Sequence, residues 1–319
     1  MPEDPAFICQ RRRATLSLKE FLILRRDMPS RRASQSASTR TLPAIPGASM
    51  TDAKALLDQG KLAAAIERLT QDVRANPSDS RLRVFLFELL CFAGDLGRAE
   101  KQLDVIAHQN ADMQIGAAVY RQILAAEKAR RAVFAEDQLP GFLTAPPEHV
   151  VFHLEALKLL REGEPAKARI LLEKAFQLRP ALAGRMDGES FQRFEDSDPF
   201  LGPFLEVVVN GQYTWLPFEQ IRRIEIAKPQ LLRDLIWARA RIESCGGDAG
   251  EVFLPVLYPG SSDHQDEAVR LGRTTNWIDK SEGLVRGVGQ RMFLIDEQER
   301  AMLELAEIHF VHAGEGSPT

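Results

Sequence analysis

Three segments of the chain repeat one pattern. "LLDQGKLAAAIERLTQDVRANP" (56–77) is echoed by "LLCFAGDLGRAEKQLDVIAHQN" (89–110) and by "LLREGEPAKARILLEKAFQLRP" (159–180). Gly60 and Gly94 stand 34 residues apart, the tetratricopeptide period, and Gly163 follows after 69, close to two periods. Five residues past each glycine comes Ala65, Ala99 or Ala168, and four later Leu69, Leu103 or Leu172. Pro77 and Pro180 close their copies 17 residues after the glycine, and Asn110 falls one place short of that position. The spacing has a physical reason. Glycine ends the first helix of a pair in a tight turn, a small residue lets the second helix approach, and proline stops it. Residues 112–135 are helical in pattern but lack the signature, so they are a degenerate repeat or a longer packing helix. Residues 139–147 form a Pro/Gly loop.

Composition narrows the class. Hydrophobic residues make up 45% and charged residues 27% of 319, values of an ordinary globular chain with room for two domains. Residues 1–49 hold nine Lys/Arg against four Asp/Glu, a net +5, leaving 32 against 41, a net −9, in the rest. That balance argues against nucleic acid as the main partner. The first 49 residues lack helical periodicity and are expected to be a disordered basic tail or an extension from a misplaced start, with Met50 directly before the first periodic helix. Cys9, Cys91 and Cys245 offer no paired spacing, which fits a reducing compartment. No apolar run reaches the roughly 18 residues of a membrane span. The expected location is cytoplasmic, with no membrane partner.

After Arg185 the pattern changes. "MDGESFQRFEDSDPFLGPF" (186–204) is acidic and turn-rich, and reads as a boundary. Beyond it, "EVVVNGQYTWLPF" (206–218) reads as a hairpin, because Asn210-Gly211 suits a two-residue turn in which both residues need positive φ. That turn pairs Val209 with Gln212, Val208 with Tyr213, Val207 with Thr214 and Glu206 with Trp215. Apolar residues on both faces predict a strand pair covered on both sides. Further strands are expected at 222–227, 251–257 and 291–295, and a short helix starting near Pro229 within 229–240. The fold class is α+β, with tetratricopeptide-like helical repeats (50–185), a smaller C-terminal domain with an antiparallel sheet (186–310), and a flexible tail (311–319).

Candidate chemistry is sparse. His149 and His153 have metal-ligand spacing on a helix, but no third ligand is evident, which favours surface or half-buried histidines. Asp187, Glu189, Glu195, Asp196 and Asp198 suit acid–base work or a hard cation, yet read more simply as a solvated linker. Gly287-x-Gly289 is a weak phosphate cradle and a better turn. Cys245 beside Gly246-Gly247 reads as a thiol in a turn, with nothing nearby to activate it. No catalytic set, cofactor or metal site is expected. Tyr213, Trp215, Trp237 and Trp277 fall together in the second half. They would form either a partner-binding surface or a core, and Trp215 is assigned to the core.

With these motifs in place the chain resembles the SciE/ImpE family, the TagJ-type accessory proteins of bacterial type VI secretion. The resemblance runs over about residues 50–310. "LGPFLEVVVNGQYTWLPFEQIRRIEI" (201–226), "LLRDLIWARA" (231–240), "GEVFLPVLYPGS" (250–261), "RLGRTTNWID" (270–279) and "GVGQRMFLIDE" (287–297) carry it. One departure is Pro199-Phe200 within "DSDPFLGP" (196–203), where the family pattern is more charged, D-x-D-D-R-L-G-P-like. The resemblance implies a non-enzymatic accessory factor that binds the small contractile-sheath subunit and, through it, meets the ClpV-type ATPase that recycles the sheath. A hydrolytic or metal-dependent enzyme using Asp198 or the His149/His153 pair is the alternative.

Overall fold

The computed structural model describes residues 51–109 and 113–312. The basic segment 1–49 and residues 313–319 lie outside the described residues. The helical half comprises α1 (Thr51–Asp58), α2 (Leu62–Ala75), α3 (Ser80–Phe92), α4 (Leu96–Gln109), α5 (Gln114–Ala135), α6 (His149–Arg161) and α7 (Pro165–Leu178). Gly60, Gly94 and Gly163 follow α1, α3 and α6 with φ of 82°, 76° and 79°, the left-handed region in which a side chain is strained. Ala65, Ala99 and Ala168 are fully buried where the paired helices cross, and Leu69, Leu103 and Leu172 are buried one turn on. The repeat pattern therefore works as its spacing implies. The unsigned stretch resolves into the single 22-residue helix α5.

Strands begin at Ala183: β1 (Ala183–Met186), β2 (Glu189–Phe191), β3 (Phe194–Asp196), β4 (Phe204–Val209), β5 (Gln212–Pro217), β6 (Ile221–Ile226) and β7 (Trp237–Ser244). Then come β8 (Ala249–Pro255), the short helix α8 (Glu267–Arg270), β9 (Thr275–Asp279), β10 (Val285–Gly289), β11 (Met292–Ile295), β12 (Gln298–Ala301) and β13 (Glu307–Val311). Eight strands form one antiparallel sheet in the order β2-β1-β13-β6-β7-β8-β4-β5. A three-stranded sheet, β12-β11-β3, and the β9–β10 pair complete this half. One face of the large sheet and the small sheet enclose an aromatic core in which Phe194 meets Phe191, Phe218, Phe293 and Phe310 at centroid distances of 5.0–5.6 Å.

The hairpin β4–β5 has the register its turn dictates, from Val209 opposite Gln212 to Glu206 opposite Trp215. Asn210 and Gly211 both have positive φ, 51° and 76°. The strand pair is buried on both faces, as its composition requires. Its outer edge is closed by the loop after α5: Gly141 donates to the Tyr213 carbonyl at 3.1 Å and accepts from the Trp215 amide at 2.9 Å. The segment 229–240 differs from expectation. Only Leu232–Leu235 coils, as a 3-10 turn, and Trp237–Ser244 is a strand at the middle of the sheet.

The two halves interlock. Every residue of α3 from Phe85 to Phe92 is buried, because the sheet half covers the side of the helix that its neighbours leave open. α5 lies against β5, and Arg233, Glu267 and Arg273 reach the earlier helices.

Candidate functional site

The densest polar constellation lies where α5 meets the sheet. Glu206 on β4 is fully buried and projects toward the helix. Arg130 on α5 donates to its two oxygens from Nε and Nη2 at 2.8 and 3.0 Å, and from Nη2 to the Leu257 carbonyl at 2.7 Å. Arg291, which precedes β11 and is also fully buried, pairs with the same carboxylate. Its Nη1 donates to Asp196 at 3.2 Å. The Tyr213 hydroxyl donates to Glu206 and accepts from Trp215 Nε1. Tyr258 donates its hydroxyl proton to Asp196 at 2.8 Å.

Asp198 extends the network outward. Its Oδ2 accepts from Arg286 Nε at 2.7 Å and from the Gly287 amide at 3.0 Å. The Arg286 guanidinium lies 5.0 Å from the rings of both Phe134 on α5 and Phe200. The departure at Pro199-Phe200 thus places an apolar ring against a guanidinium already matched by Asp198. Gly287 is required because a Cβ there would lie 2.5 Å from the Tyr258 ring. It sits in a strand, not in the turn that the sequence suggests.

Asp196, Asp198 and Glu206 are matched by Arg130, Arg286 and Arg291, three carboxylates against three guanidiniums. Burial pushes the Asp196 carboxyl up to about 7 and lowers Arg291 to about 10, while each attracts the charged form of the other. This corrects the reading of 187–198 as a solvated linker. Glu195, Asp196 and Asp198 are buried, and Glu195 pairs with Arg179 beyond α7 and with Arg193. Asp187 is likewise a structural acceptor, taking the Glu307 amide at 2.8 Å.

Two more clasps join the halves. Arg233, on the 3-10 turn, donates to Glu88 of α3 at 2.7 Å and to the Tyr120 hydroxyl of α5 at 2.8 Å. Burial pushes Glu88 up to about 7 against the pull of Arg233. At the repeat turns, the α8 region caps helix ends. Glu267 accepts the Ala63 amide at the start of α2 at 2.7 Å, and Arg273 donates to the Leu57 and Asp58 carbonyls closing α1 at 2.6 and 3.0 Å. Acid at the amide end and guanidinium at the carbonyl end both match the helix dipole. The "RLGRTTNWID" motif therefore begins as a clamp on the first repeat.

The aromatic candidates separate. Tyr213, Trp215 and Trp237 are 4%, 0% and 2% exposed, buried where the helices meet the sheet, and present no surface to a partner. Trp215 stacks on Phe204 at 4.7 Å. Trp277 on β9 is half-buried against Tyr258. His149 and His153 are buried, not surface residues, and both rings pack on Phe204, at 5.9 and 5.0 Å. Glu219 reaches His149 at 3.3 Å, but no group of three potential ligands converges among the described residues. Burial holds His153 well below its usual range, and so in the neutral form. Cys245 is exposed with its sulfur 3.2 Å from His312 Nε2, a neighbour that sequence spacing could not reveal. Beside Arg130 a cavity of about 60 Å³ is lined by Glu127, Arg131, Trp237 and Ser262. It has room for a few waters and is far below the several hundred Å³ of an organic-ligand pocket. Among the described residues no helix is long and apolar enough to cross a membrane.

Comparison with known proteins accounts for both halves. The family model described as ImpE protein matches residues 188–309, and a tetratricopeptide repeat model matches 56–126. The chain is 39% identical over 274 residues to the type VI secretion system accessory component TagJ of Pseudomonas aeruginosa, covering 86% of this chain and 96% of that protein. An X-ray crystal structure of a Vibrio parahaemolyticus protein superposes with a TM-score of 0.77 at 25% identity, covering 82% of this chain and 98% of the other.

Proposed function

The chain belongs to the ImpE family, and on that premise we propose that it is a cytoplasmic, non-enzymatic scaffold of a type VI secretion system that holds a segment of the small contractile-sheath subunit and brings it to the ClpV-type ATPase. The premise supplies the system, since the TagJ relative is an accessory component of type VI secretion. The observation that carries the non-enzymatic part is the fate of the acids. Asp196, Asp198 and Glu206, the groups best suited to acid–base work, are each 0% exposed and held by arginines or tyrosines. A general acid or base must reach a substrate proton. These are enclosed by their own partners, and Glu206 through Arg130 ties β4 to α5.

The experiment is co-elution. The full chain and the purified small sheath subunit are expected to run as one complex on size exclusion, and the ClpV-type ATPase to join it only when the sheath subunit is present. Separate elution of chain and sheath subunit at micromolar concentrations would refute the reading.

A further inference from the structure

One corner of the molecule combines exposed apolar side chains with positive charge that no acid meets among the described residues. Along α5, Ile115, Val119 and Gln122 recur at helical spacing on one side. Gln122 packs on the hairpin turn, its Cβ 3.0 Å from where a Gly211 Cβ would stand. One and two turns earlier the same side comes free: Val119 is 36% and Ile115 80% exposed. Next to Val119, the Tyr120 ring faces Phe253 of β8 at 6.3 Å and lies under the Arg233 guanidinium. Phe253 is half-buried and pairs across the sheet with Arg239 of β7, so the two share a face.

The helices cover that face only over the β8-β4-β5 end. Past Phe253 it opens to solvent. Arg239 there is exposed and has no ion-pair partner among the described residues. The Ala227 amide bonds to the Arg239 carbonyl, which brings Lys228, also exposed, alongside, and Leu231 follows at 42% exposure. The neighbouring Arg241 stands opposite both Glu225 and Glu251, so the positive charge of the corner is that of Arg239 and Lys228. In a chain whose residues past 49 are net negative, this is a local basic spot beside an apolar ledge.

We infer that the corner formed by Ile115, Val119, Tyr120, Phe253, Leu231 and Arg239 is the docking surface for an amphipathic segment of the protein partner that bears acidic residues beside its apolar stripe. The inference rests on the scaffold reading above, in which that partner is the small sheath subunit. Ile115 and Val119, at i and i+4, suit the apolar stripe of a helix lying along α5. Arg239 and Lys228 then meet its acidic residues at the rim, where charge sets orientation and rate of encounter.

The test measures binding of the purified small sheath subunit to the full chain and three variants: Ile115→Asp, Arg239→Glu and, as a control on a distant exposed apolar residue of α7, Ile170→Asp. All three positions are exposed, so unchanged melting is expected and verifies folding. Ile115→Asp and Arg239→Glu should each weaken binding by about tenfold or more while Ile170→Asp binds as wild type. Binding of the wild type should fall with added salt, and less steeply in Arg239→Glu. If the wild type binds and the two corner variants bind equally well, the corner is not the site, and the scaffold reading stands. If the wild type does not bind the sheath subunit, that reading fails and this one with it. Concentration-dependent self-association abolished by Ile115→Asp would show that a second copy covers the corner, and would overturn the inference.

Discussion

Arg130→Met tests whether the ionic joint holds the two halves in one cooperative unit. The substitution keeps the aliphatic stem and deletes a guanidinium that is 4% exposed and makes three close hydrogen bonds, two to Glu206 and one to the Leu257 carbonyl. Removing one member of a buried pair costs about 3–5 kcal/mol, because the other charge stays in a medium that cannot solvate it. Glu206 would keep Arg291 and the Tyr213 hydroxyl, which places the loss near the lower end, about 3 kcal/mol. With a urea slope of about 3 kcal/mol/M for a chain this size, the midpoint should fall by about 1 M. Far-UV circular dichroism follows mainly the helices, whereas tryptophan fluorescence reports only the sheet half, since Trp215, Trp237 and Trp277 all lie there. The two signals should coincide in wild type and separate in the variant. Arg68→Met, removing an exposed pair with Asp52 and Asp72, should change the midpoint little. An Arg130→Met midpoint within about 0.2 M of wild type, with coincident signals, would mean that the network contributes no coupling and would refute the argument.

Three further outcomes follow from local geometry. Ala168→Leu should overpack the crossing of α6 and α7 and cost about 1–3 kcal/mol in a denaturant melt, because the position has no exposed surface; a silent substitution would contradict the repeat register. Gly211→Val should cost about 1–2 kcal/mol or more from positive φ alone, with contact against Gln122 in addition, and lower the tryptophan-reported melting temperature. Glu88 and Asp196 both hold their protons more tightly folded, near 7, than an unfolded carboxylate does near 4. The native state then binds more protons than the unfolded chain between these values, so their contribution to stability grows as pH falls from about 8 to 5. Glu88→Gln should flatten that trend in thermal melts across pH, and an unchanged slope would count against a proton held at Glu88.

What could be read from sequence was local. Gly60, Gly94 and Gly163 each act on a turn a few residues long, and Asn210-Gly211 fixes a register within a dozen residues, so pattern and structure agree. The ionic joint was hidden because its members are far apart in the chain. Asp196 meets Arg291 95 positions away, Asp198 meets Arg286 88 away, and Arg130 meets Glu206 76 away. An acidic cluster whose counter-charges arrive from other elements looks like a linker to any window that cannot see them. Residues 229–240 misled for another reason: Leu232–Leu235 has helical spacing for one turn, and the strand pairing of Trp237–Ser244 then prevails. Tyr213 and Trp237 were ambiguous because a tryptophan or tyrosine suits a core and a contact surface equally.

The capping of helix ends by α8 and Arg273 bears on how the molecule deforms. Stacked helical repeats normally behave as a spring, since each unit touches only its neighbours and small rotations add along the stack. Here Arg273 holds the end of α1, Glu267 the start of α2 and Arg233 the middle of α3, while Arg130 of α5 is held by Glu206 of β4, so the C-terminal half reaches four of the helices. A C-terminal half tied to four of the helices acts as a brace across the coil, and stretching or tightening it would require several of these ties to yield together. A body of that stiffness loses little conformational freedom on binding another protein.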